Sequence, residues 1–175
     1  MRYTLFNQDG SHAANIECHP DDAPYQAFDG RAIIEGDYGD GFYYDGEKVC
    51  EKPMQPTPVH VWDVSLRAWT LSPDLIEAAQ IKAVDDVRRA LQSAIDTRAA
   101  SLGFSNGNAL MLYVGFDNAF QAVAQVFAVW EASVWVEADA YKSEVMAGTK
   151  PMLSPSEAVA MMPIFHDIAA SGGAL

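Results

Sequence analysis

The feature that most constrains this chain is a long run of helical spacing late in the sequence. Phe120, Val123, Phe127, Trp130, Val134, Ala138, Tyr141 and Val145 recur in steps of three and four. Such spacing is close to a coiled-coil seam and predicts one helix from about Asp117 to Ala147. Asp117 is the expected N-cap, and Gly148 with Pro151 closes the far end. Trp135 stands five residues after Trp130, about 140° further around such a helix, and so cannot share its stripe. The helix is therefore expected to be apolar on a second face, carrying Trp135, Val129 and Val136. A helix apolar on two sides is either surrounded by its own chain or buried against another. Both remain open from the sequence, a second copy of the chain among the partners.

An earlier helix has the same character. Ser72 can cap it, Pro73 suits its first position and Asp74 suits the positive end of its dipole. Its apolar set is Leu75, Ala79, Val84, Val87, Leu91, Ile95 and Leu102, and Gly103 stops it. A short apolar turn or helix is expected within residues 105–116. The phrase "SPSEAVAMMPIF" repeats the Ser-Pro-acid start and predicts a brief final helix.

Residues 1–70 differ in texture, being rich in Gly, Asp, Pro and aromatics. Strands are expected at 2–6, 31–36, 41–53 and 59–69. In "GFYYDGEKVCEKP" the Asp45-Gly46 pair predicts a tight hairpin turn, flanked by Tyr43-Tyr44 and Lys48-Val49. In "VHVWDVSLRAW", Val61-Trp62 is expected to return as Ala68-Trp69 across a turn near residues 63–66. The prolines of "KPMQPTP" exclude a central strand between these hairpins and suggest an extended spacer. The expected class is thus α+β, a small antiparallel hairpin region followed by a helical hairpin or bundle. The boundaries read as a β-rich region over 1–53, a spacer and Trp hairpin over 54–71, helices over 72–165 and a weakly ordered tail over 166–175.

Composition narrows the function. Eleven Lys and Arg against twenty-four Asp and Glu leave a net charge of −13. That balance argues against nucleic acid and against an anionic membrane surface as partner. The acids are spread, with twelve in residues 1–70 and twelve in 71–175, which describes a solvated surface. The start "MRYTLFNQDG" turns polar too soon for a signal peptide, so a cytosolic location is expected. Cys18 and Cys50 then read as reduced, buried thiols.

Motifs for chemistry are sparse. The chain has no Gly-rich phosphate loop, HExxH, GxSxG or CxxC. His12, Cys18, His19 and Cys50 match no zinc spacing, so no metal or cofactor is expected. Asp37, Asp40 and Asp45 lack the order of a calcium loop and read as turn residues. Asp85-Asp86 beside Arg88-Arg89 read as helix-surface ion pairs. Tyr43, Tyr44, Trp62 and Trp69 could stack on a sugar, but cross-strand aromatic pairing explains them with fewer assumptions. The expectation is a protein without a catalytic set.

Two longer phrases carry a resemblance. "GFYYDGEKVCEKPMQPTPVHVWDVSLRAW" resembles small tail proteins encoded beside the tail-fibre genes of tailed bacteriophages and prophages. In these a tyrosine-rich hairpin precedes a Pro-rich spacer and a phrase of the type FDWxxxxW, matched here by Trp62, Asp63 and Trp69. The helical half matches the same group at Leu102-Gly103-Phe104, Val129-Trp130, Val134-Trp135 and Ser154 to Pro163. It departs at Glu131, where arginine is frequent, and lacks the group's tighter consensus around residues 106–116. The resemblance, spanning about residues 31–165, implies a non-enzymatic protein that binds a tail-fibre or baseplate protein and assists fibre assembly. It also allows a permanent part of the virion tail. The implied partner-binding residues are Trp135, Val129 and Val136 on the helix, and Tyr43, Tyr44, Trp62 and Trp69 on the sheet.

Overall fold

A computed structural model describes residues 1–166 and has an α+β fold. Among the described residues seven strands, with a 3₁₀ helix at Pro20–Gln26, precede four α-helices, and the chain divides into two compact units, Met1–Glu77 and Ala78 onward. The Pro-rich spacer and the Trp hairpin thus belong with the β-rich region. The tail expected at 166–175 lies outside the described residues after His166.

In the first unit β1 (Arg2–Phe6) is the centre of an antiparallel sheet, flanked by β2 (His12–Glu17) and β3 (Ala32–Glu35). A central strand covered on both faces buries successive residues, and Tyr3, Thr4, Leu5 and Phe6 are all buried. The Thr4 hydroxyl is satisfied by Asn15, the Gly36 carbonyl and the Tyr38 N–H. Strand β2 has no counterpart in the expected strands. Its sequence "HAANIE" carries two alanines and an asparagine, and pairing with β1 outweighs that weak propensity.

Strands β4 (Phe42–Tyr44) and β5 (Val49–Glu51) form the Asp-Gly hairpin, but its turn is longer than a two-residue turn at Asp45-Gly46 would be. Tyr44 pairs with Val49, and Asp45 to Lys48 make a four-residue loop. The Asp45 carboxylate explains it: its Oδ1 accepts the N–H groups of both Glu47 and Lys48, at 2.9 and 2.8 Å. Gly46 supplies the positive φ of 103°. Strands β6 (His60–Asp63) and β7 (Ala68–Leu71) pair with Trp62 opposite Trp69.

Helix α1 (Pro73–Ser101) begins as expected, with Ser72 Oγ accepting from the Leu75 N–H. Helix α2 (Gly107–Met111) is capped by Asn106. Helix α3 (Gln121–Met146) starts later than the sequence implied. Asp117 is not its cap: Asn118 accepts from the Phe120 N–H and donates to the Tyr113 and Phe116 carbonyls, so a side-chain turn uses up the first residues. Helix α4 (Pro155–Ala160) has a full capping box between Ser154 and Glu157. The core joins Leu91, Ile95 and Ala99 of α1 with Leu110, with Phe127, Trp130 and Val134 of α3, and with Ala158 and Phe165. Phe120, the first residue of the expected seam, is instead exposed at its end.

Candidate functional site: a methionine-lined groove and an aromatic cluster

Trp130 and Trp135 have different surroundings. The Trp130 ring packs against Phe127 and Phe165, at centroid distances of 5.4 and 5.3 Å, and its indole N–H donates to the Pro163 carbonyl at 2.8 Å. That bond ties the segment after α4 to the middle of α3. Trp135 is half-buried and packs on the flank of the same core. Its exposed side lines an open groove of about 850 Å³ between α1, α3 and α4. Val129 and Val136 are 73% and 69% exposed and lie on the side of α3 away from the core. The expected second face is therefore two surfaces, because Trp135 is about 100° from Val136 around the helix.

The groove floor is apolar, formed by Val87, Leu91, Val134 and Ala138, with Trp135 on one wall. Met146, Met152, Met161 and Met162 complete the walls, and the first three are exposed. Arg88, Lys142, Glu137 and Asp139 also line the groove, so it carries both signs of charge. Lys150 is taken up by Glu144 at 2.5 Å. An apolar floor with flexible thioether walls can adapt to differently shaped apolar side chains. Sequence reasoning missed these methionines because they lie outside the helical stripes. Their signal was density: four of the chain's seven fall between residues 146 and 162.

Beside the groove, one Glu131 carboxyl oxygen is buried without a hydrogen-bond partner. Burial pushes its pKa above the ordinary glutamate range; the Trp135 indole offsets part of this and the Asp96 carboxylate adds to it. Asp96 itself accepts the Gly107 N–H at 2.9 Å, which fixes the start of α2.

In the β-rich unit the four aromatics do not form one surface. Alternation along β4 sends Tyr44 toward Phe6, at 6.0 Å between centroids, and Tyr43 toward Trp62, at 5.3 Å. Trp62 meets Trp69 edge-on at 5.5 Å, and the Trp69 N–H donates to the Pro53 carbonyl. Lys52 lies over Trp62 and Arg67 over Tyr43, so these rings serve one another and their cations. The Trp62 N–H is buried without an acceptor.

Of the three aspartates read as turn residues, Asp45 bonds its own loop, whereas Asp37 pairs with the distant Arg2 and Asn15 and Asp40 faces His12. Asp86 pairs with Lys82 and Arg89 on α1. Cys18 and Cys50 are unpaired and only half-buried, not buried as expected: Cys18 follows the end of β2 and Cys50 lies in the two-stranded β4–β5 ladder. Among the described residues no cluster of His, Cys, Asp or Glu is arranged to hold a metal, and no helix is long and apolar enough to cross a membrane. Comparison with known protein families, with curated proteins and with solved structures finds no match to this chain.

Proposed function

We propose that this chain is a non-enzymatic tail protein of a tailed bacteriophage or prophage that binds the tail fibre and assists its assembly or attachment. It would act in the host-cell cytoplasm while the fibre is being made. The observation that supports this most directly is the open methionine-lined groove, with Trp135 on its wall and Met146, Met152 and Met161 exposed. An unassembled fibre exposes apolar segments that its own trimer later covers. A groove with soft walls holds such segments without demanding one shape. The acidic surface, at a net −13, keeps the complex soluble. The aromatic phrase around Trp62, Asp63 and Trp69 supports the same assignment through its likeness to fibre-associated tail proteins.

The test is co-purification from infected or induced cells, together with mass spectrometry of purified particles. The expected result is a complex with free fibre protein and absence from finished particles. A Met161→Glu, Met146→Glu variant should lose the fibre while keeping its helical circular dichroism. A fixed copy number in particles, in ratio with the tail's symmetry, would instead make the chain a permanent part of the virion. Failure to co-purify with the fibre, and absence from particles, would sink the reading.

A further inference from the structure

We infer that the outer face of α3 is where a second copy of this chain packs, helix against helix and antiparallel. The face runs along the opposite side of α3 from the core and meets the groove only at Ala140, and its role does not depend on the fibre reading. Ala122, Gln125, Val129, Ala132, Val136, Ala140 and Ser143 are all exposed and follow one another in steps of three, four, three, four, four and three. This is the rhythm of the buried seam on the other side of the same helix. One seam is filled by the chain itself, and the other has Val129 and Val136 at 73% and 69% exposure.

Charge selects the occupant. The chain carries −13, yet none of these seven positions is charged. A basic partner would be met by acids at the contact. An acidic chain that meets itself needs a contact free of charge, since like charges brought together across an interface are repelled. The distribution along the helix then selects the direction. From Gln121 to Trp130 helix α3 has no charged residue, whereas Glu131, Glu137, Asp139, Lys142 and Glu144 all lie beyond it. A parallel pair would bring the acids of the two copies side by side. An antiparallel pair, crossing near Ala132, lays the charged half of each helix along the uncharged half of the other. The alanines admit close approach of the two backbones, and the valines supply the apolar contact.

Sedimentation equilibrium of the full chain should show a dimer at micromolar concentration. Val129→Glu with Val136→Glu should weaken it roughly hundredfold or more by placing like charges in the contact. Both positions are exposed, so the melting curve of the dissociated variant should show a folded protein. In a background with Cys18 and Cys50 replaced by serine, Ala132→Cys should form an intermolecular disulfide and Gln125→Cys should not. A wild-type monomer would overturn the proposal, as would a dimer indifferent to the two glutamates. Cross-linking through both cysteine positions would overturn the antiparallel arrangement.

Discussion

In the unit from Met1 to Glu77 the large buried side chains are few, and Tyr3, Thr4, Leu5 and Phe6 all lie on the single strand β1. From Ala78 onward the buried set is drawn from all four helices and from Phe165 beyond them. The first unit is held largely by ladders, by side chains that bond their own turns, and by aromatic rings packed pairwise. Asp45, Asn7 and Asp9 all bond within a few residues of themselves. The second is held by one contiguous apolar core. The difference teaches where each unit is vulnerable: a removed side chain costs most in the helices, and a changed backbone conformation costs most in the sheet.

The sharpest way to test that contrast is Trp130→Ala. It removes a ring held between Phe127 and Phe165 and leaves the Pro163 carbonyl without its donor. The expected loss is about 3–5 kcal/mol, seen as lost hydrogen-exchange protection along α3. Unchanged protection would mean the core is not organised on this residue. Its counterpart in the sheet is Gly10→Ala. Gly10 has φ of +87°, and a Cβ there would stand 2.1 Å from the Tyr44 carbonyl oxygen. Left-handed strain alone costs about 1–2 kcal/mol, and the clash also displaces the Tyr44 N–H that donates to the Gly10 carbonyl. A drop of about 2 kcal/mol or more in urea stability is expected, and a neutral result would break the backbone half of the comparison.

Both helices and both later hairpins were legible in the sequence because periodicity and turn residues act over short distances. Trp62 opposite Trp69 follows from counting across one turn. Strand β2 was not legible, since its alanines and asparagine become a strand only by pairing with β1. The start of α3 was misplaced because Asp117 is a good cap by residue type, whereas Asn118 makes a turn through its bonds to Tyr113, Phe116 and Phe120 and the helix begins only after Phe120, without a side-chain cap. The site was half legible. Spacing separates Trp135 from the Trp130 stripe, but not the Trp135 wall from the Val129 and Val136 face. The groove was hidden because its walls come from segments far apart in the chain, with methionines that follow no period.

A smaller effect is expected at Ser154. Its hydroxyl accepts the Glu157 N–H at 3.3 Å, and the Glu157 carboxylate accepts the Ser154 N–H at 2.8 Å. Ser154→Ala should cost about 1 kcal/mol, read as a shift in the urea midpoint. Because α4 places Ala158 in the core and its end carries Met161 and Met162 to the groove, the same variant should also weaken binding of the fibre partner proposed for the groove. A large loss of stability here would show that the helical unit depends on local caps as much as the sheet does.

The smallest effect, and the one that isolates a turn from any core, is the titration of Asp45. Backbone N–H donors from Lys48 and Glu47 hold its pKa down to about 2, against an ordinary value of 3.8, with Cys50 and Arg67 adding to the effect. Because the folded value lies below the unfolded one, the folded state favours the ionised carboxylate. Its contribution is whole above the ordinary aspartate range and is lost as the pH falls through that range toward 2. The β4–β5 hairpin should therefore loosen in acid before the helical core responds. Carbon-detected NMR of the Asp45 carboxyl should give a midpoint near 2, and Asp45→Asn should remove the hairpin's acid sensitivity in that window. A midpoint at the ordinary 3.8 would show that the carboxylate does not hold the loop, leaving Gly46 and the strand ladder to define the turn.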